Sequence, residues 1–447
     1  MIRIKLNISY LILFSISLFN CESATQSINI KINSARIHIV SGNNQIGSSN
    51  TELTDPIIIQ VTDSLGTPAS NIEIKINQIE GNGSFTLPTT SLTDARGIVQ
   101  IDWLIGDSYN AAKITIADYD INCDPVYIYA TGDNPIGLEY TRSLNTIKKE
   151  GNNFYSMSIY GDYSEIIDDV NISFVGERLS LQSLQYSCSL FSMFGNSAEY
   201  IFGRSFDNPL GWQCLTLIGK YYPVNGYKSL AFSRMQDYGY QFHTNIEDLS
   251  RNNKMRLFES IGHIPDGINE CGVVAGLASV RPFDYTPDNM KETIWVTILI
   301  RKILDQASSI DEAIEIAHNY NLSCPDNNTL GIHIMVADAT GRSVILELGD
   351  GILQAIPNTE KWQVITNSPS YNISIETQQS ACTRFNYIYN VLEQYNGSLS
   401  IQEGLNVLSN IGWNNATEWS TIYNITDKSL SVAIDYDFNK IYNFTIN

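Results

Sequence analysis

Tyr186-Ser187-Cys188-Ser189-Leu190-Phe191 sets a cysteine at the head of a series of short motifs. A short strand–turn–strand interval separates it from Phe202-Gly203-Arg204-Ser205-Phe206-Asp207. Further on comes Pro265-Asp266-Gly267-Ile268-Asn269-Glu270-Cys271-Gly272, which leads into the apolar run Val273 to Ala278. Val364-Ile365-Thr366-Asn367-Ser368-Pro369 and Cys382-Thr383-Arg384-Phe385 complete the series. Each piece alone is a weak signal. Their joint presence in this order is specific.

The surrounding pattern mixes strands with long helices. Thr293 to Ala307 reads as a helix that is apolar except at Arg301, Lys302 and Asp305, which implies burial between layers. Ser309-Ile310-Asp311-Glu312 has the spacing of a capping box and opens a helix through Tyr320. Ser400-Ile401-Gln402-Glu403 repeats that spacing before Leu405 to Ile411. Strands are expected at Ile332 to Ala337, Ser343 to Leu348, Ile352 to Ile356 and Gln363 to Thr366. Three more are expected near Thr421 to Ile425, Leu430 to Asp435 and Lys440 to Ile446. Antiparallel strands with short turns, and helix pairs between them, predict an α+β fold of sheets sandwiched by helices.

Ahead of this region the texture differs. From Ile28 to about Gly132, alternating runs such as Ile57-Ile58-Ile59-Gln60-Val61 and Ile72-Glu73-Ile74-Lys75-Ile76 are separated by turn clusters. Asp63-Ser64-Leu65-Gly66-Thr67-Pro68 and Thr93-Asp94-Ala95-Arg96-Gly97 are two of these turns. About seven short strands in about 100 residues predict a separate all-β sandwich. Asp133-Asn134-Pro135 marks the boundary between the two regions. The two turn patterns resemble those of bacterial Ig-like domains in invasin-type surface proteins. An anonymous β-sandwich spacer is the plainer reading of the same segment.

From roughly Phe154 to Ile446 the chain resembles the linear amide C–N hydrolases, which include choloylglycine hydrolase, penicillin V acylase and isopenicillin-N acyltransferase-like proteins. Besides the motifs above, the likeness extends to Tyr160-Gly161-Asp162-Tyr163, to Asp338-Ala339-Thr340-Gly341-Arg342-Ser343 and to Glu418-Trp419-Ser420-Thr421-Ile422-Tyr423. The resemblance implies a four-layer αββα sandwich and cleavage of the Ser187–Cys188 bond. Residues 137–187 would then be a pro-segment and 188–447 the hydrolase domain. A thiol attacks only as thiolate. The α-amine of a cysteine that begins a chain has a pKa of roughly 7.7–8.0, suited to a general base near neutral pH. One residue then supplies nucleophile and base, which fits a sequence with no Cys-His signature.

By the same resemblance, Cys188 attacks an amide carbonyl and forms a thioester. Asp207 holds the new α-ammonium group, and Arg204 favours the thiolate through its permanent charge. Asn269 and Asn367 direct side-chain or backbone N–H donors at the oxyanion. Arg384 organises the charged network around the sulfur. Ser205 departs from the Gly-Arg-Asn-x-Asp form common in the family. No cofactor is implied, and the expected partner is a small N-acylated amide. An acyltransferase of the same fold, or a surface adhesion protein with a disabled hydrolase domain, are the competing readings. The loops expected to select the substrate are Leu210 to Asp237 and Pro282 to Glu292.

Composition sets the outer bounds. A length of 447 residues suggests two or three domains. Hydrophobic residues at 43% and charged residues at 17% describe a globular chain. A formal charge of −20 argues against a nucleic-acid surface, which needs excess Lys and Arg. Arg3 and Lys5 precede an apolar run from Ile8 to Phe19, shorter than the roughly 20 residues of a membrane-spanning helix, so residues 1–20 read as an export signal. Leu18-Phe19-Asn20-Cys21 resembles a relaxed bacterial lipobox. Cys21 is then the lipid site and the membrane anchor, with plain secretion as the alternative. The remaining six cysteines would allow three disulfides in an exported protein, although none shows a CxxC or metal-ligand spacing. His38, His243, His263, His318 and His333 form no cluster, and His333 reads as a strand-face residue rather than a metal ligand. Whether the chain forms a homo-oligomer is left open.

Overall fold

A computed structural model describes residues 33–446 apart from 86–89, 107–108, 119, 133–134, 177–187, 209–213, 250, 324–328 and 414–415. Cys21, expected as a lipid site, Ser187 and part of the expected substrate loop lie outside the described residues.

Two sheets lie between helices in the region that follows the all-β segment. One has nine strands in the order Lys148–Gly151, Phe154–Gly161, Thr216–Pro223, Ser229–Arg234, Asp266–Asn269, Val274–Asp284, Thr329–Ala337, Ser343–Gly349 and Ile352–Pro357. The other has six, in the order Trp362–Ile365, Ser189–Met193, Ile201–Asp207, Thr417–Asn424, Ser429–Ile434 and Ile441–Thr445. Successive strand residues face opposite ways, and the sequence uses both faces. Leu190 and Phe202 point between the sheets, while their neighbours Phe191 and Ile201 pack under the outer helices. Ile345 likewise joins the inter-sheet core, whereas Val344 and Leu346 face the opposite helical layer.

Helices Val296–Gln306 and Ile310–His318 cover the nine-stranded sheet. Thr383–Gln394 and Ile401–Ile411 cover the six-stranded one. The result is the expected four-layer αββα sandwich. Cys188 belongs to the inter-sheet core, fully buried beside Leu190, Phe206 and Ile268.

Local sequence signals explain where several elements begin. Ser400 accepts the Glu403 N–H and the Glu403 carboxylate returns to Ser400, a complete capping box. Ser309 caps its helix the same way, but the Glu312 side chain turns to the N–H and hydroxyl of Ser308. The helix expected from Thr293 starts three residues later. Thr293–Trp295 is a short strand paired in parallel with Asn321–Ser323, and the helix proper is Val296–Gln306. Arg301 is tolerated inside it because Nη2 reaches Asp305 Oδ1 at 2.5 Å and Ser229 Oγ at 2.6 Å.

The strands are not all antiparallel. Phe154–Gly161 runs parallel to Thr216–Pro223 in an eight-residue register, with Lys148–Gly151 outside it. Residues that precede Cys188 in the chain are therefore part of the same sheet as residues that follow it. Phe154, Tyr155, Met157 and Ile159 are all buried there.

Residues 35–132 form the all-β region. A three-stranded sheet, with Ile57–Asp63 between Ala35–Ser41 and Ile98–Ile101, faces a five-stranded sheet centred on Tyr109–Ile116. Ile57, Ile59, Val61, Ile74, Ile76 and Trp103 fill the space between them. The helix Pro135–Leu144 follows the boundary, and a hydrogen bond of 2.6 Å joins Thr131 to Thr141 across it.

Candidate active site

The end of the six-stranded sheet gathers the chemistry. Cys188 immediately precedes Ser189–Met193, and Asp207 ends the neighbouring antiparallel strand. Thr417 opens the next strand, where a register shift sets it opposite Asp207. Trp362–Ile365 flanks the cysteine strand on the other side and leads to Asn367.

Arg204 approaches from beneath. Its Nη2 lies 3.5 Å from Cys188 Sγ, and its Nη1 donates to the carbonyl of Leu277 at 2.8 Å. The Nε atom pairs with Asp266 Oδ1 at 3.0 Å, with both side chains fully buried. Because Asp266 belongs to the nine-stranded sheet, this ion pair ties the two sheets together under the thiol. Tyr423 donates to Asp266 Oδ2 at 2.5 Å. Gly276 makes room, since a Cβ there would lie 2.6 Å from Leu190 Cδ2 and 3.4 Å from Arg204 Nη1.

Asp207 is fully buried and accepts the hydroxyls of Ser205 at 2.7 Å and Thr417 at 2.6 Å on Oδ1. Arg384 Nη1 reaches Asp207 Oδ2 at 3.4 Å, the Cys188 carbonyl at 3.1 Å and Ser189 Oγ at 3.0 Å. Its Nη2 donates to Asn367 Oδ1 at 2.6 Å, and Asn367 Nδ2 donates to the Ser279 carbonyl at 2.7 Å. One guanidinium thus links the cysteine, the aspartate and one of the expected oxyanion donors.

Electrostatics follow from burial. Burial pushes the Cys188 thiol from an ordinary 9.0 to about 11, opposed by the Arg204 charge and by the Asp207 N–H. Burial also raises Asp207, against the hydrogen bonds from Thr417 and Ser205 and the charges of Arg384 and Arg204. Asp266 is raised by the same cause, with Arg204 opposing. With residue 187 still attached, the nitrogen of Cys188 is an amide rather than an amine. The thiol in that state is neutral at pH 7.

Five of the six expected residues converge: Cys188, Arg204, Asp207, Asn367 and Arg384 are joined by direct contacts. Asn269 is a correction. Its backbone N–H bonds to the Val273 carbonyl at 2.9 Å, and Nδ2 spends its protons on the carbonyls of Leu304 at 3.0 Å and Ala307 at 2.7 Å. Its Oδ1 accepts the N–H groups of Cys271 and Val273. Every donor is consumed in closing a turn and holding the end of the Val296–Gln306 helix, so none is left for an oxyanion.

Asp266 and Thr417 received no role from the sequence. Asp266 lay inside a quoted motif, and burying Arg204 requires such a partner. Thr417 stood one residue before a quoted motif and gave no signal. Ser205, the departure from the family form, supplies a hydroxyl to Asp207 in place of an amide. The described cysteines Cys123, Cys188, Cys214, Cys271 and Cys382 are all free, so none of them forms the disulfides that an exported chain allowed.

A buried cysteine at the head of a strand thus stands, backed by Arg204 and Asp207, between the two sheets of an αββα sandwich. Residues 188–386 match the family model of linear amide C–N hydrolases, choloylglycine hydrolase family. Its members hydrolyse linear amide C–N bonds other than peptide bonds. Among solved structures, a mutant conjugated bile acid hydrolase from Clostridium perfringens is similar at 15% identity and a TM-score of 0.43, over 58% of this chain and 92% of that one. Penicillin V acylase from Agrobacterium tumefaciens is similar at 16% identity and a TM-score of 0.39, over 58% and 92%. No curated protein matches the chain.

Proposed function

We propose that the protein cleaves a linear amide in a small N-acylated molecule, with Cys188 as an N-terminal nucleophile unmasked by self-cleavage after Ser187. The observation that carries this reading is the convergence of Arg204, Asp207 and Arg384 on Cys188. In the uncut chain, the Cys188 thiolate attacks the Ser187 carbonyl. The Ser187–Cys188 C–N bond breaks, a thioester forms, and the nitrogen takes a proton to become the α-amine. Water then hydrolyses the thioester, leaving a carboxylate on Ser187 and a free thiol on Cys188.

The mature cysteine repeats this chemistry on substrate. Its α-amine takes the thiol proton, Sγ adds to the amide carbonyl, and the proton passes to the departing amine. Water releases the acyl group from the thioester as a carboxylic acid. Arg204 stabilises the thiolate from 3.5 Å. Asp207, beside Arg384, receives the α-ammonium group, and Asn367 Nδ2 stabilises the oxyanion.

Residues 154–161 support retention of the N-terminal piece after the cut. Four large apolar side chains are buried there, each worth about 1.5–3 kcal/mol as an upper estimate. With Cys21 as a lipid anchor, the all-β region, in its Ig-like reading, holds the enzyme at the bacterial envelope. Among the described residues no helix is long and apolar enough to cross a membrane. The test is turnover of a panel of N-acylated amides by purified protein, with Cys188→Ala as control. Equal turnover by the variant overturns the assignment of the nucleophile.

A further inference from the structure

His333 is a buried titratable group that the chemistry above leaves without a task. It sits fully buried on the Thr329–Ala337 strand of the nine-stranded sheet. Its Nε2 lies 2.7 Å from the carbonyl of Thr366, and its Nδ1 lies 2.7 Å from Glu347 Oε2. A carbonyl oxygen only accepts, so Nε2 carries a proton. Glu347, also fully buried, accepts the Ser370 N–H on both oxygens at 2.9 Å and the Tyr371 N–H on Oε1 at 2.8 Å. Burial raises Glu347, but the bond and charge of His333 and the two backbone donors outweigh it, so the carboxylate lies below its usual range.

These bonds bracket one short loop. His333 holds residue 366 from one side, and Glu347 holds residues 370 and 371 from the other. Asn367 lies between, one residue beyond the carbonyl that His333 grips. Buried, directional hydrogen bonds to the backbone at residues 366, 370 and 371 fix the loop's geometry more tightly than apolar packing would.

We propose that His333 and Glu347 are positioning residues for Asn367, clamping the loop from Thr366 to Tyr371 so that the Asn367 amide stays aimed at the reacting carbonyl. The inference rests on the reading of Asn367 as an oxyanion donor. Displacement of a catalytic group by about 1 Å costs on the order of 10²-fold, so a loosened clamp acts on kcat.

The experiment is a double-mutant cycle on self-processed enzyme, with an N-acyl 4-nitroanilide as chromogenic probe and kcat counted per chain that begins at Cys188. His333→Gln is expected to lower kcat roughly ten- to hundredfold with KM within about twofold. In an Asn367→Ala background the same substitution is expected to cost almost nothing more, because the group it positions is gone. A merely structural histidine costs the same in both backgrounds, and that result overturns the inference while leaving the amidase reading intact. Full activity in Asn367→Ala alone overturns the inference together with the reading of Asn367 as an oxyanion donor, and the amidase reading stands. Should His333→Gln fail to fold, Glu347→Gln keeps the side-chain shape and is carried through the same cycle with the same expected coupling.

Discussion

Asn269 ends the strand Asp266–Asn269 and Asn367 lies two residues beyond the strand Trp362–Ile365, and both were expected to face the oxyanion. The folded chain separates them. Asn269 is fully buried, and all its donors serve backbone acceptors. Asn367 is half-buried and bonded to Arg384, which also touches Cys188 and Asp207. A primary amide acts on substrate only where the fold leaves it beside the reacting atoms. Where it saturates backbone groups, its worth is structural.

Four changes sharpen or break this contrast. Cys188→Ala is expected to abolish self-cleavage and turnover together, read by gel mobility and by product formation. Asn367→Ala should cost on the order of 10²–10³ in kcat if it removes one oxyanion donor. Unchanged kcat would return Asn367 to the same structural status as Asn269.

Self-cleavage should respond to pH through the thiol. The thiolate is the attacking form, and burial holds Cys188 at about 11 in the uncut chain. The cleavage rate of newly made chain is therefore expected to climb about tenfold per pH unit above neutrality and to continue past 9. A plateau near 9 would mean the thiol is not desolvated as described.

Asn269→Ala should affect catalysis least. It strands the carbonyls of Leu304 and Ala307 and the N–H groups of Cys271 and Val273, at about 1–3 kcal/mol for each buried group left unpaired. The expected outcome is a clear fall in Tm with kcat per folded site kept within a few-fold. A kcat loss matching that of Asn367→Ala would erase the distinction.

Periodicity and caps made much of the fold legible. Ser309 and Ser400 announced their helices, and the strand expected at Ser343 to Leu348 is present and buried on both faces. Thr293 to Trp295 misled because a short apolar run is compatible with either helix or strand, and its partner at Asn321–Ser323 is distant in sequence. The parallel pairing of Phe154–Gly161 with Thr216–Pro223 was illegible for the same reason. The helices Ile375–Ala381 and Thr383–Gln394 were not foreseen, although Arg384 at the start of the second was.

Site chemistry was readable where motif residues converge and unreadable where a role depends on hydrogen-bond saturation. Nothing in Asp266-Gly267-Ile268-Asn269 tells that the aspartate pairs with Arg204 while the asparagine closes a turn. That division is made by the register of the strands around them.

The central claim is that Cys188 becomes a chain terminus. N-terminal sequencing and intact mass of fully active purified protein test it most directly, first in concentrated salt and then in denaturant. The account predicts a fragment beginning at Cys188 that stays with the fragment ending at Ser187 in salt, because apolar burial is not screened, and separates from it in denaturant. Fully active enzyme made only of uncut chain would contradict it.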